Sequence, residues 1–320
     1  MTVQIFIPTF NRSAKVANAI ASVLAQTVSD LEVVVLDNHS EDDTPAVMIA
    51  IAAADSRVKY IRRERNIGMI ANFNAIRALV SADYFSVLTD DDAYEPIFVE
   101  TALACFSAHP SVAFVACSAP TLRGGVVVKN QLDEWREGFH KANTSTYRCL
   151  TGQYPLVTNC LFRREAAPDF VYHEDLGNVS DGMLLTCMFA KYDSCISKVV
   201  TGHWDSEGDN ASTINRADPI ELTNRPIREA RHYREFCDRN HIAKRGLFLL
   251  WLKRFLTVLV AADKSNFRDV MARSEAGPAF SAPARVLLRG FHQLRIVRVV
   301  VRALALTRSF RRRWIVWREA

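Results

Sequence analysis

Tyr84-Phe85-Ser86-Val87-Leu88-Thr89-Asp90-Asp91-Asp92 decides the reading of this chain. A short run rich in strand-forming residues passes, with one threonine between, into three consecutive aspartates. Carboxylates this close repel one another when all are ionised, so the cluster calls for a counter-charge. A divalent cation supplies it, and oxygen-only donors favour Mg²⁺ or Mn²⁺ shared with substrate phosphates. A solvated acidic turn that caps the following helix is the alternative from these residues alone.

The sequence on either side supplies the context. Val3-Gln4-Ile5-Phe6-Ile7 is a strand stopped by Pro8, and Ser13 to Gln26 has helical spacing of apolar residues. Leu31 to Leu36 is apolar at nearly every position, as a parallel strand buried on both faces must be, and it ends in the polar loop Asp37 to Asp43 before a helix near Thr44. Val58 to Ile61 reads as a third strand, and Asn66-Ile67-Gly68 as a turn before a helix over Ile70 to Ser81. This rhythm predicts an α/β nucleotide-binding layout. Ligands of open parallel sheets sit beyond the carboxyl ends of the strands, so Pro8-Thr9, Asp37 and Asp90 to Asp92 are expected to converge on one crevice. Neither a GxGxxG after the first strand nor a GxxxxGK[ST] anywhere is present, so the phosphates are held another way.

These residues resemble the family 2 glycosyltransferases of the GT-A fold. The matching text is Ile7-Pro8-Thr9-Phe10-Asn11-Arg12, Val33 to Asp42, Asn66-Ile67-Gly68 and Leu88-Thr89-Asp90-Asp91-Asp92, in the family's order across roughly residues 3 to 100. The resemblance implies a Rossmann-like mixed sheet flanked by helices, with a helical C-terminal extension. It implies that Pro8, Thr9 and Asp37 line the base and ribose of a nucleotide-sugar, that Asn66 and Gly68 shape the adjoining wall, and that Asp90 faces the ribose or phosphate. Asp91 is then the principal ligand of Mn²⁺ or Mg²⁺ and Asp92 its helper. Thr89 stands where the family often carries a further aspartate.

Members of that family also place a general base at the start of a late helix. Ser180-Asp181-Gly182-Met183-Leu184-Leu185 puts Asp181 there, with Glu174 and Asp175 as competing candidates and helix capping as the structural use of Ser180 or Asp181. His203, in the loop-like stretch Gly202 to Ser212, is either a further metal ligand or a solvated histidine. Trp135, Tyr147 and Tyr154 fall in a less regular stretch, Ala119 to Thr158, and receive no role.

Between these motifs the pattern predicts a helix at about 96–108 and strands at Val112 to Cys117 and Asn159 to Phe162. An acidic loop follows over Asp169 to Asp181, then a helix over Gly182 to Lys191 and helical structure from about Arg225. The expected organisation is a catalytic domain over 1–222, split into a nucleotide-sugar half (1–118) and an acceptor and base half (119–222), followed by a helical region over 223–320.

Composition bounds the rest. At 320 residues and 49% hydrophobic content the chain buries a full core. Its seven cysteines are scattered without a CxxC pair, which points to reduced thiols, and no export signal opens the sequence. The formal charge of +5 is uneven, because ten arginines against the single acid Glu319 fall between Pro278 and Ala320. The body is mildly acidic and the tail, at about 283–318, reads as an amphipathic helix on an anionic membrane surface. A helix that packs on a second subunit, making a homo-oligomer, is the alternative. No nucleic acid partner is expected, since no binding motif occurs and the body is acidic.

The chain is therefore expected to be an inverting transferase on the cytoplasmic face of the inner membrane. It would move a sugar from a nucleoside diphosphate donor to a hydroxyl of a lipid-linked or cell-surface oligosaccharide. A nucleotidyltransferase and a catalytically degenerate membrane scaffold are the alternatives. The first needs a glycine-rich basic loop, and the segment after Ile7 has no glycine and only Arg12 and Lys15 as cations.

Overall fold

The computed structural model describes residues 2–150, 152–205 and 219–244. The apolar run Gly246 to Ala262 and the arginine-rich tail lie outside the described residues. The chain divides into two compact units, Met1–Asn210 with Glu235–Arg245, and Ala211–Arg234 with Gly246–Ala320. All the candidate site residues belong to the first.

That unit opens with β1 (Val3–Thr9), α1 (Ser13–Leu24), β2 (Leu31–Asp37), α2 (Thr44–Ala54), β3 (Val58–Arg62), α3 (Met69–Asn74), α4 (Ile76–Leu79) and β4 (Tyr84–Val87). It continues through β5 (Ala93–Tyr94), α5 (Phe98–Ala108), β6 (Phe114–Ser118), β7 (Thr121–Arg123), β8 (Val126–Lys129), β9 (Gly138–His140) and α6 (Thr146–Leu150). β10 (Cys160–Arg163), α7 (Ser180–Lys191), β11 (Ser194–Val200) and β12 (Gly202–Asp205) complete the sheets, and α8 (Pro219–Arg239) is the last described helix. An eight-stranded sheet has the order β3-β2-β1-β4-β10-β6-β11-β9. Its first four strands are parallel, whereas β10 runs antiparallel to both β4 and β6. A smaller sheet has the order β5-β12-β7-β8.

The sheet divides the core in two because alternate strand residues point to opposite faces. Val3, Ile5, Ile7, Val33 and Val35 pack with α1 and α5 through Val16, Ile20, Val23, Phe98 and Phe106. Phe6, Val34, Leu36, Phe85, Val87 and Phe162 pack on the other side with α7 through Leu184, Leu185, Met188 and Phe189. Helices thus cover both faces, which is why β1 and β2 are apolar at most positions. Trp135 is part of the second layer and almost wholly buried.

Several elements differ from the sequence expectation. The helix expected over Ile70 to Ser81 is two short helices, with the turn tightened to a bond from the Ala78 amide to the Ala75 carbonyl at 3.2 Å. The stretch expected to be irregular holds the hairpin β7–β8, whose turn residues Gly124 and Gly125 have φ of 55° and 75°. Positive φ at both central positions is what a tight hairpin turn requires and what glycine supplies. Two strands follow Lys191, so His203 lies on β12 opposite Ala93, and not in a loop.

The pairing of β12 with β5 depends on Gly202. A Cβ there would stand 2.6 Å from Asn159 Nδ2 and 3.1 Å from the Ala93 carbonyl oxygen, so the strand approaches only because that position carries no side chain. Gly202→Ala is expected to lower stability by about 1–3 kcal/mol, the usual cost of overpacking. Urea denaturation of both proteins measures it, and an unchanged midpoint would remove the close-approach argument.

Candidate active site

The crevice begins where β1 leaves β4. The Leu88 amide donates to the Phe6 carbonyl and the Asn38 amide to the Thr9 carbonyl, each at 2.9 Å. By alternation Pro8 faces β4, and proline has no amide proton for it, so the ladder ends at the Phe6–Val87 pair. Beyond that point the Thr9 hydroxyl donates to Asp90 Oδ2 at 2.7 Å in a buried contact. Arg12 Nη1 donates to Asp90 Oδ1 and Asp91 Oδ2, both at 3.0 Å.

The loop after β2 forms the next wall. Asp37 is wholly buried, and its carboxylate accepts from the Ser40 amide at 2.8 Å, the Ser40 hydroxyl at 2.6 Å and the Tyr60 hydroxyl at 2.5 Å. Arg62 Nε stands 3.6 Å from it. In this structure Asp37 therefore sets the shape of the loop from beneath. The loops after β1 and β2 are tied together by the Asn11 amide to Ser40 Oγ and the Glu41 amide to Asn11 Oδ1, both at 2.8 Å. Asn66 Oδ1 accepts from Asn38 Nδ2 at 2.8 Å and from the Gly68 amide at 2.9 Å. Gly68 has φ of 86°, and an added Cβ would meet nothing within 4 Å, so backbone conformation alone selects glycine.

Charge in the acidic turn is confined. Burial raises the proton affinity of Asp90, against which Thr9 and Arg12 act. Burial lifts Asp92 to about 7, with repulsion from Asp91 and Asp90 adding and hydrogen bonds from Thr89 and Thr158 opposing. Asp91 is the most exposed of the three. His203 is exposed on β12, opposite the residue that follows Asp92. Among the described residues no three His, Cys, Asp or Glu side chains converge as a ready-made metal cage. Mg²⁺ and its analogues usually need only one or two carboxylates besides substrate phosphates, and the oxygen donors of the turn meet that requirement.

The other carboxylate lies across the short segment that starts β10. Because β10 runs against β4, with Phe162 opposite Phe85, its beginning meets the end of β4. The Tyr94 hydroxyl donates to the Thr158 carbonyl at 2.6 Å and Ser86 Oγ to the Cys160 carbonyl at 2.7 Å, fixing that segment. Thr158 bonds Asp92, and Asp181 lies within electrostatic reach of Cys160, two residues further on.

Asp181 sits in the first turn of α7. Burial raises its carboxyl to about 6, and Tyr172 lies within its electrostatic reach. Tyr172 is clamped by Asn74, whose Oδ1 accepts from the Tyr172 amide at 2.8 Å and whose Nδ2 donates to the Tyr172 carbonyl at 2.9 Å. The Tyr154 ring crosses Gly182, where a Cβ would come within 2.8 Å of it. Ser180 Oγ accepts from the His173 amide at 2.6 Å. Glu174 is exposed and Asp175 partly buried in the 3₁₀ turn before α7.

A profile of the family described as Glycosyl transferase family 2 matches residues 4–170, more than half of the 320. The chain belongs to this family. That membership sets the nucleotidyltransferase alternative aside. Among curated family 2 relatives, chondroitin synthase of Escherichia coli is 37% identical over 114 residues, 35% of this chain and 16% of that protein. The GalNAc(5)-diNAcBac-PP-undecaprenol beta-1,3-glucosyltransferase of Campylobacter jejuni is 35% identical over 89 residues, 28% of this chain and 29% of that protein. The matches thus span less than a third of either relative. In structure, TarS of Staphylococcus aureus in complex with UDP-GlcNAc has a TM-score of 0.61 at 15% identity, covering 93% of this chain and 89% of that one. Mannosyltransferase PcManGT from Pyrobaculum calidifontis, in complex with GDP-Man and Mn²⁺, has a TM-score of 0.55 at 16% identity, covering 98% and 84%. At such identity the likeness is one of fold, and that fold is the GT-A type.

Three contributors to this family 2 site were not assigned from sequence: Arg12, Tyr172 and the Asn74 clamp. Arg12 stands inside the quoted motif, and the available signal was its place just after β1, as Asp90 stands just after the neighbouring β4. Tyr172 carried none.

The folded chain binds the Asp181 proton more tightly than the unfolded chain, whose carboxyl titrates near about 3.9. Ionised Asp181 therefore costs stability as pH rises from about 4 and does so fully above about 6. Asp181→Asn is expected to be more stable than the parent at neutral pH by on the order of 2 kcal/mol, with the gap closing below about pH 4. Equilibrium unfolding across pH measures this, and a gap that does not change with pH contradicts it.

Proposed function

We propose that the protein is an inverting glycosyltransferase that moves a sugar from a nucleoside diphosphate donor to a hydroxyl of a lipid-linked or cell-surface oligosaccharide. The observation that carries the reading is Asp181, a carboxyl raised to about 6 by burial and within electrostatic reach of Cys160, two residues from the Thr158 that bonds Asp92. A base matched to neutral pH is ionised enough to accept a proton and basic enough to hold it. On this reading Asp181 takes the proton of the acceptor hydroxyl as its oxygen attacks the anomeric carbon. The new C–O bond forms on one face while the bond to the diphosphate breaks on the other, which inverts the centre.

In the same reading Pro8 and Thr9, with Asp37 beneath, line the base and ribose, Asn66 and Gly68 form the adjoining wall, and Asp90 faces the ribose or phosphate. Asp91 is the principal donor to a divalent cation, with Asp92 and His203 completing its shell. Mn²⁺ or Mg²⁺, when bound, neutralises charge on the departing diphosphate. Support comes from the UDP-GlcNAc and the GDP-Man with Mn²⁺ bound by TarS and PcManGT. The undecaprenol in the name of the Campylobacter jejuni relative favours a lipid-linked acceptor. Attachment to the cytoplasmic face through the basic tail fits such an acceptor, and no helix among the described residues is long and apolar enough to cross a membrane.

Asp181→Asn is expected to keep donor binding and to lose transfer by about 10²–10⁴-fold, the usual contribution of a positioned base. The rate of the parent enzyme should fall on the acid side with a midpoint near 6, because the base acts ionised. An active Asp181→Asn enzyme would move the role to Glu174 or Asp175. Asp91→Ala and EDTA should each abolish transfer, EDTA reversibly on adding Mn²⁺, and full activity in EDTA would end the metal assignment.

A further inference from the structure

One guanidinium nitrogen holds two members of the acidic turn. Arg12 Nη1 stands 3.0 Å from Asp90 Oδ1 and 3.0 Å from Asp91 Oδ2. The Arg12 side chain is 32% exposed, and those of Asp90 and Asp91 are 9% and 25% exposed. Arg12 follows Asn11, itself at φ of 54°, in the link between β1 and α1, so its charge reaches the turn from the opposite lip of the crevice.

Two cations do not share one carboxylate oxygen comfortably, because like charges a few ångströms apart repel. A divalent ion arriving at Asp91 therefore meets a seat already held by Arg12. We propose that Arg12 is an exchangeable counter-ion. It neutralises the acidic turn in the substrate-free protein, yields Asp91 to a divalent cation, and then donates to the diphosphate that the cation binds. The proposal rests on the metal-binding reading of Asp91 given above.

The contacts indicate the order of events. Asp90 is the more buried partner and has its other oxygen held by Thr9, so it stays. Asp91 is the more exposed partner, so it is the contact that opens. The released guanidinium is a planar fork of donors that suits phosphate oxygens and remains charged at every accessible pH. The exchange keeps the turn compensated throughout: by arginine before binding, and by the metal afterwards, with the arginine facing the phosphates.

The experiment needs no knowledge of the donor base, the sugar or the acceptor. Calorimetric titration of the full chain uses Mn²⁺ alone, then inorganic pyrophosphate at saturating Mn²⁺. Arg12→Gln, which keeps a hydrogen-bonding side chain without the charge, is expected to bind Mn²⁺ roughly tenfold more tightly than the parent, about 1.4 kcal/mol. It should bind pyrophosphate roughly tenfold more weakly. Arg12→Lys, a point charge without the fork, should fall between in both titrations, and it serves as the folded reference if the glutamine variant is unstable. Lys15→Gln, an exposed charge on α1, controls for a general field effect and should change Mn²⁺ affinity by less than about twofold.

Opposite signs in the two titrations support the exchange. Mn²⁺ affinity equal in the parent and both Arg12 variants overturns it and leaves the metal reading intact. Equal tightening by Lys15→Gln also overturns it, and so does pyrophosphate binding that is undiminished in Arg12→Gln. Absence of Mn²⁺ binding in the parent and every variant overturns the exchange and the metal reading together.

Discussion

The missing amide proton of Pro8 is the constraint on which the site depends. β1 is central in the sheet, with β2 on one side and β4 on the other, and every residue of it is buried. Had the ladder with β4 continued, the ends of the two strands would be sealed by backbone hydrogen bonds. Proline closes that option on the β4 side alone, since the Thr9 carbonyl still accepts from Asn38 across β2. The strands part at one seam, and the side chains of Thr9 and Asp90 meet inside it. The antiparallel course of β10 supplies the second half of the geometry. A parallel strand there would deliver its end beside the end of β4, whereas β10 delivers its beginning, and with it Thr158, which bonds Asp92, and Cys160, within electrostatic reach of Asp181.

The chemistry placed in that seam is costly to fold. Asp90, Asp92 and Asp181 all have their proton affinity raised, chiefly by burial, so the native state holds these carboxylates less willingly ionised than water would. Asn11 and His39 hold positive φ without being glycine, one in each of the loops after β1 and β2. Such strain persists only where the surroundings over-determine it. The two apolar layers packed on either face of the sheet do so, together with the bonds that tie Asn11 to Ser40 and Glu41. A cation relieves the cost of ionising buried carboxylates, and a carboxylate that is costly to ionise takes up a proton readily, so the same burial that lowers stability suits the proposed chemistry.

What was legible in the sequence is what local pattern determines. β1, β2 and β4 were readable because burial on both faces favours mostly apolar runs, and the polar residues beyond them mark the crevice by strand topology alone. Asp181 was readable as the acid opening an apolar helix. β11 and β12 were not, since Ser194 to Val200 lacks clean alternation, and Gly202 takes its meaning from Asn159 and Ala93. The Arg12 pairing spans 78 residues and the Asn74–Tyr172 clamp spans 98. No window of sequence contains both partners of either. Trp135 was ambiguous for a related reason, because an aromatic in an irregular stretch is assigned to core or to surface only by what packs on it. Here that is Phe189, at 4.9 Å between ring centroids.

The clamp also joins the two ends of the crevice. α3 starts at the Gly68 turn, which Asn66 holds against Asn38 of the β2 loop, and it ends at Asn74, which grips both backbone polar groups of Tyr172. Tyr172 in turn lies within electrostatic reach of Asp181. The wall assigned to the nucleotide and the environment assigned to the base are therefore two ends of one short helix. Two hydrogen bonds from one amide fix both the position and the orientation of the residue they grip, so α3 cannot shift without carrying Tyr172 with it or breaking the pair. The surroundings of Asp181 are in this way tied to the placement of the Asn66 to Gly68 turn, through Asn74 and Tyr172.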